Sequence, residues 1–228
     1  GPYNGTWTGS AVYGTGKFGE AASFNGTSNY ISIPNNSAFD ANGLGGFSLS
    51  FWINRDTNTG TQTPLNKEGG GSGNYGWSII YTSGSGYQYQ QYDTSNNLYA
   101  ITTGANSTTG SWEHVTVTYN PSDSKSRIYF NGILIATSST FSAPPAPSPD
   151  AFTIGARNTG INFVDGLMDQ VRVFNSVLTA QQVYDLWQKE NSIQTYFPDT
   201  PTSGTDTLVF KSGSGEITFK NDTPPGAE

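Results

Sequence analysis

Hydrophobic and polar residues alternate along much of this chain. In Phe47-Ser48-Leu49-Ser50-Phe51-Trp52-Ile53, the residues Phe47, Leu49, Phe51 and Ile53 share one face, and Ser48, Ser50 and Trp52 share the other. That period of two predicts a half-buried β-strand. Residues 112–119 repeat the pattern, with Val115, Val117 and Tyr119 on one side and Trp112, His114, Thr116 and Thr118 on the opposite side. Further on, apolar runs at 127–130 and 133–136 flank Asn131-Gly132. Asn-Gly tolerates the positive φ angles of a tight turn, so a hairpin is predicted there. Strands are also predicted at 21–24 and 30–33, joined as a hairpin by Asn25-Gly26, and at 77–81, 87–92, 98–101, 152–154 and 165–174. Residues 54–74 are polar and glycine-rich and read as one long loop.

The period becomes helical only at 179–189. Thr179 is a good N-cap and Gln182 follows three residues later, the spacing of a capping box. Leu178 can pack against Val183, and Val183, Leu186 and Trp187 form one apolar stripe. Beyond Asn191 the character changes, to a linker at 197–204 and a short hairpin at 207–210 and 216–219. This order of elements predicts an all-β, antiparallel β-sandwich over residues 1–192 with one short C-terminal helix. Residues 193–228 form a separate extension, a candidate for self-assembly into homo-oligomers.

Composition narrows the partners. At 228 residues the chain can bury a full sandwich core. Charged residues are only 12% and the net charge is −7, which disfavours nucleic acid, whose phosphates need a Lys/Arg surface. No apolar run approaches the ~18 residues of a membrane helix, so no membrane insertion is expected. There is no cysteine, which removes disulfides and thiolate metal sites.

Several segments together resemble the laminin-G-like, concanavalin A-like sandwich domains. They are Gly16-Lys17-Phe18-Gly19-Glu20-Ala21 through Phe24-Asn25-Gly26, then Tyr30-Ile31, and the strand beginning at Phe47. Trp112-Glu113-His114-Val115, Tyr129-Phe130-Asn131-Gly132 and Ile154-Gly155 continue the likeness. The run Gly166-Leu167-Met168-Asp169-Gln170-Val171-Arg172-Val173 and the helix after Leu178 complete it. The resemblance covers about residues 11–190. It implies a jelly roll of two stacked, curved sheets, a frequently bound calcium ion, and roles in carbohydrate or protein adhesion. Such domains are appended to adhesins, glycan-degrading enzymes and viral fibres, so the fold alone does not set the function.

Three groups of residues could carry chemistry. Asp169 shares a strand face with Leu167, Val171 and Val173, where a carboxylate needs a partner or a cation. It is a candidate structural calcium ligand together with carbonyls at Asn25 and Gly26. The other reading is a carboxylate that accepts backbone N–H groups or pairs with Arg157 or Arg172. His114 is the only histidine, which rules out a histidine-based triad and marks it as a structural residue. The third group is the aromatic stretch Asn74, Tyr75, Trp77, Tyr81, Tyr87, Tyr89, Gln91 and Tyr92, a candidate glycan groove. Aromatic rings suit the apolar faces of sugars, and amides suit their hydroxyls. Alternation sends at least half of these rings inward, so core filling is the competing reading.

Enzymes that the resemblance brings to mind cut glucans with carboxylates spaced Glu-x-Asp along one strand. No such spacing occurs here. The expected function is therefore a non-catalytic adhesion or carbohydrate-binding module of an extracellular bacterial or viral surface (fibre) protein, with a glycan or cell-surface protein as partner. The alternatives are a structural or assembly module of a fibre and a cryptic glycan hydrolase.

Overall fold

The computed structural model describes residues 3–42, 45–69, 75–105, 107–158 and 160–192, and the backbone of strands at 207–212 and 215–220. The chain divides into two compact units, Gly1–Ser192 and Ile193–Glu228. In the first, the strands run in order β1 (Thr6–Thr8), β2 (Tyr13–Thr15), β3 (Glu20–Asn25), β4 (Tyr30–Ile33), β5 (Phe47–Arg55), β6 (Thr61–Asn66) and β7 (Trp77–Thr82). There follow β8 (Gly86–Tyr92), β9 (Leu98–Thr102), β10 (Glu113–Asn120), β11 (Lys125–Phe130), β12 (Ile133–Thr137), β13 (Phe152–Ile154), β14 (Asp165–Phe174) and helix α1 (Ala180–Ser192). In the second unit, β15 (Thr207–Ser212) and β16 (Gly215–Lys220) pair as an antiparallel hairpin.

Two seven-stranded antiparallel sheets make the sandwich. The front sheet has the order β1-β4-β13-β6-β7-β8-β9, and the back sheet β12-β11-β10-β5-β14-β3-β2. Their inner faces meet in one core. Phe47, Leu49, Phe51 and Ile53 of β5 and Val115 and Val117 of β10 face Trp77, Ile79, Tyr81, Tyr87 and Tyr89 of the front sheet. A charged tie crosses the same interior. Arg55 and Glu113 of the back sheet reach Tyr87 of the front sheet, with Arg55 Nε donating to the Tyr87 hydroxyl at 3.0 Å and that hydroxyl donating to Glu113 Oε2 at 2.6 Å.

Two local expectations hold in detail. Asn131 and Gly132 take φ values of 48° and 78° between β11 and β12, the left-handed pair a two-residue hairpin requires. At the start of α1, Gln182 N donates to Thr179 Oγ1 and Thr179 N donates to Gln182 Oε1, a reciprocal capping box.

Three differ. Residues 21–24 and 30–33 are strands, but Asn25-Gly26 does not join them as a hairpin. β3 pairs with β2 and β14 in the back sheet, whereas β4 pairs with β1 and β13 in the front sheet. Asn25 Oδ1 accepts from the backbone of Thr27, Ser28 and Asn29, and this side-chain-capped turn lifts the chain from one layer to the other. The loop expected at 54–74 contains β6, hidden in sequence because it carries only one large apolar residue, Leu65, and a proline. A register shift between Gln62 and Leu65 accommodates Pro64 in the ladder. Finally, β5 is buried on both faces, since Ser48, Ser50 and Trp52 are covered as fully as the apolar row. The cover is α1 and its lead-in. Ser48 Oγ donates to Ser176 O and accepts from Leu178 N, and Trp52 Nε1 donates to Glu190 Oε2 at 2.6 Å.

His114 lies beneath this cover. Its Nε2 is 3.0 Å from Ser50 Oγ and its ring is 4.9 Å from that of Trp52. Burial, then the positive charges of Arg172 and Lys17, push its pKa down to about 3. The unfolded chain takes up this proton near pH 6.5 while the folded protein does not, so stability falls as pH drops from about 6.5 toward 3. His114→Gln should remove this term. Urea unfolding at pH 7 and pH 5 should show the wild type losing about 2 kcal/mol more than the variant over that interval.

Candidate functional site

The pleat of β7 and β8 sorts the aromatic stretch. Trp77, Ile79 and Tyr81 stand opposite Gln91, Tyr89 and Tyr87, and these six point into the sandwich. Trp77 Nε1 donates to Phe39 O at 2.8 Å, and its ring packs 5.6 Å from Phe47 and 5.5 Å from Phe152. The Arg55 guanidinium lies 3.5 Å from the centre of the Tyr81 ring. Tyr89 donates to Gln91 Oε1, and Gln91 Nε2 donates to the carbonyls of Gly76 and Tyr92. Burial pushes the hydroxyls of Tyr87 and Tyr89 far above the usual tyrosine range. A groove built from Trp77, Tyr81, Tyr87, Tyr89 and Gln91 therefore does not exist, because period-two alternation places these side chains in the core. Asn74 lies outside the described residues. Tyr75 is 49% exposed just ahead of β7.

What remains is the outer face of the front sheet. Ser78 stands opposite Gln90, and Ile80 opposite Gln88. Gln88 is paired with Thr102, Gln90 with Ala100 and Tyr92 with Leu98, while Asn66 lies beside Ser78 and Thr153 beside Asn66. Paired residues project on the same side, so these share one face, on which Asn66, Ser78 and Thr153 are covered while Ile80, Gln88, Gln90 and Tyr92 are partly exposed. At its centre Glu68 is nearly buried. Its Oε2 accepts from Ser78 Oγ at 2.9 Å and its Oε1 from Arg157 Nη2 at 2.9 Å. Asn66 Nδ2 donates to Glu68 O, and Gln90 Nε2 to Gln88 Oε1. Tyr92, half-exposed, borders the ion pair. Burial and then the Glu68 charge push its hydroxyl up, and Arg157 opposes them. Two atoms around Glu68, Asn66 Oδ1 and Arg157 Nε, are buried without a partner. Polar groups in this state are rare in finished protein interiors.

The surface thus offers a ring (Tyr92), an apolar patch (Ile80), two amides (Gln88 and Gln90) and a fixed ion pair. Such a set can seat a ring with one apolar face and bond its hydroxyls. Of the predicted residues, Tyr92 belongs to it. Glu68, Arg157, Asn66 and Ser78 were not legible as site residues, since Asn66 closes the unrecognised strand β6 and Glu68 follows it. The joint orientation of Gln88, Gln90 and Tyr92, by contrast, follows from alternation along β8.

Asp169 proves to be a backbone acceptor. Its Oδ2 accepts from Phe18 N at 2.9 Å and its Oδ1 from Gln170 N at 2.7 Å. Gln170 has φ of 50°, and the ladder to β5 shifts register between Asp169 and Arg172. This bulge separates residues expected on one face. Asp169 lies opposite Trp52 on the outer side, whereas Val173 lies opposite Leu49 on the inner side. Asn25 stands opposite Asp165, four positions along β14 from Asp169, which is about 13 Å of strand. Asp169, Asn25 and Gly26 do not converge, and the Asn25 side chain is already engaged by three backbone donors. These residues do not fit a calcium site, and among the described residues no group of three or more His, Cys, Asp or Glu could hold a metal. Asp169→Ala should cost about 1–3 kcal/mol by leaving the Phe18 and Gln170 amides unmet. Differential scanning calorimetry should show that loss, and chelator should leave the wild-type melting temperature unchanged.

A model of the concanavalin A-like lectin/glucanases superfamily, of laminin-G type, matches residues 25–184. The chain belongs to this superfamily. No curated protein matches it. Among solved structures it is similar to domain 4 of AbnA, a GH43 extracellular arabinanase from Geobacillus stearothermophilus, in complex with arabinotriose. That match has TM-score 0.59 and 23% identity, over 81% of this chain and 88% of that one. The binding domain of Paraclostridial Mosquitocidal Protein 1 matches with TM-score 0.66 and 19% identity, over 81% of this chain and 47% of that one. The botulinum neurotoxin serotype G binding domain gives 0.66, 15%, 83% and 47%. This concanavalin A-like chain thus spans under half the length of the two toxin domains. At these identities the likeness establishes the shared sandwich.

Proposed function

We propose that this chain is a non-catalytic carbohydrate-binding module of an extracellular protein, and that it holds a neutral oligosaccharide across the outer face of the front sheet. The observation that carries the reading is the row Gln88, Gln90 and Tyr92 on one strand, set beside the Glu68–Arg157 pair. A ring stacks on Tyr92 while the amides and the ion pair bond its hydroxyl edge. The domain of the extracellular arabinanase, in complex with arabinotriose, supports a neutral pentose chain as ligand.

The state of Glu68 supports binding rather than hydrolysis. Both its oxygens are engaged, by Ser78 and Arg157, which suits a fixed acceptor better than a group that passes protons. Glycoside cleavage also needs a second carboxylate working across the bond, and no described hydrogen bond or ion pair brings another acid to Glu68.

Isothermal titration with soluble arabinan and other neutral polysaccharides tests this. Tyr92→Ala should weaken binding at least about tenfold, or ~1.4 kcal/mol, with little change in melting temperature. Trp77→Ala, in the core, should instead cost about 3–5 kcal/mol of stability. Affinity unchanged in both Tyr92→Ala and Gln90→Ala would remove this face from consideration.

A further inference from the structure

A surface cavity of about 290 Å³ opens between the β10–β11 turn and the proline-rich segment after β12. Tyr119 and Phe141 line it, with Pro121 and Pro144 as walls and Asn42 and Ser142 at the rim. None of the described residues lining it is charged.

This hollow is held open by more structure than a surface loop needs. The Phe141 ring stacks on Tyr99 at 3.9 Å and 11° and meets Tyr119 edge-on at 5.2 Å. Phe141 N donates to Ser124 O, tying the segment to the turn it faces. The next residue is fixed from beneath. Ser142 N donates to the Tyr99 hydroxyl at 2.7 Å, and Ser142 Oγ donates to Asp93 Oδ2 at 3.0 Å while Asn97 Nδ2 donates to it. Asp93 is itself buried and bonded by the amides of Ser95 and Asn97. Beyond it, Thr94 N donates to Pro144 O, Ala146 N to Tyr92 O and Gly76 N to Ala146 O. Prolines at 144, 145, 147 and 149 preset the backbone. A wall already ordered in the free protein loses little entropy on binding, which is the property of a preorganised site.

We infer that this cavity is a second carbohydrate site, which takes the single terminal ring of a neutral saccharide. Its volume lies at the low end of ligand clefts, enough for one ring and too small for a chain. Tyr119 and Phe141 are nearly buried and reach the hollow only as its floor, so the apolar wall for one face of a sugar is made by Pro121 and Pro144. Asn42 and Ser142 bring polar groups to the lining for its hydroxyls, and the uncharged lining selects against uronic or sialic acids. The two sites therefore differ in kind: the open row on the front sheet follows the length of a chain, and the hollow reads its end. They share one support, since the strand that presents Tyr92 runs directly into Asp93. The hollow does not depend on the open row being a binding site.

The test is amide NMR of the whole chain with methyl glycosides of neutral pentoses and hexoses as probes. Saturable shifts are expected at the amides of Asn42, Ser124, Ser142 and Ala143 with at least one glycoside. They should persist in Tyr92→Ala, which disables only the open row. They should vanish in Ala143→Trp, which fills the hollow, and in Asn42→Trp, which blocks its mouth without touching the hydrogen-bonded strap. Arabinan binding in titrations should survive both of these variants with at most a few-fold loss. No shift at these amides with any glycoside would overturn the inference. So would shifts that survive both tryptophan variants, or shifts that disappear with Tyr92→Ala alone.

Discussion

The pleat of the β-strand governs this protein. A side chain on a strand points to one face or the other, and its neighbours point oppositely. On β7 and β8 that rule sends Trp77, Tyr81, Tyr87 and Tyr89 into the interior, where they meet Phe47, Phe51, Val115 and Val117 of the opposing sheet. The same rule turns Ser78, Ile80, Gln88, Gln90 and Tyr92 outward. The core and the candidate binding face are thus the two sides of one pair of strands. Burying large aromatic rings inside makes the outer row rigid, which a recognition surface without moving parts requires.

The two layers are not equivalent. The outer side of the back sheet is closed by α1, held through Glu190. That carboxylate accepts from Trp52 Nε1 and pairs with Arg172 at 2.6 Å, while Lys17 sits 4.5 Å over the Trp52 ring. Glu190 is nearly buried, and a carboxylate there is costly unless paired, so the cluster fixes the helix in one place. A buried cation works at the front. Lys67 donates to Asn35 Oδ1, Ser148 O and Asp150 O at 2.6–2.8 Å, with Asp40 at 3.5 Å. It joins the end of β6 to the proline-rich segment and so sets the position of the next residue, Glu68. The helix covers one layer and leaves the other as the candidate binding face.

How much of this was written in the chain can be judged residue by residue. The strands with strong apolar alternation, the Asn131-Gly132 turn and the Thr179 capping box were legible because each rests on local chemistry. β6 was not, since Pro64 and four polar neighbours in its six residues mask a strand whose partners lie far away in sequence. Asn25-Gly26 has the composition of a hairpin turn, yet the hydrogen bonds of Asn25 make it a crossing between layers. The bulge at Gln170 was equally hidden, and it reversed the facing of every residue beyond Asp169. At the site, Tyr92 followed from pattern alone. Glu68 and Arg157 are 89 residues apart, and only the fold brings them together.

The central claim is the sorting of tyrosines by strand face, and chemical modification measures it directly. The folded protein would be nitrated with tetranitromethane and each of its 13 tyrosines followed by peptide mass mapping. Tyr13 and Tyr75 should react first and Tyr92 more slowly, while Tyr81, Tyr87 and Tyr89 should stay unmodified until the protein is unfolded. Nitration of Tyr87 or Tyr89 in the folded protein at the rate of Tyr75 would contradict the account.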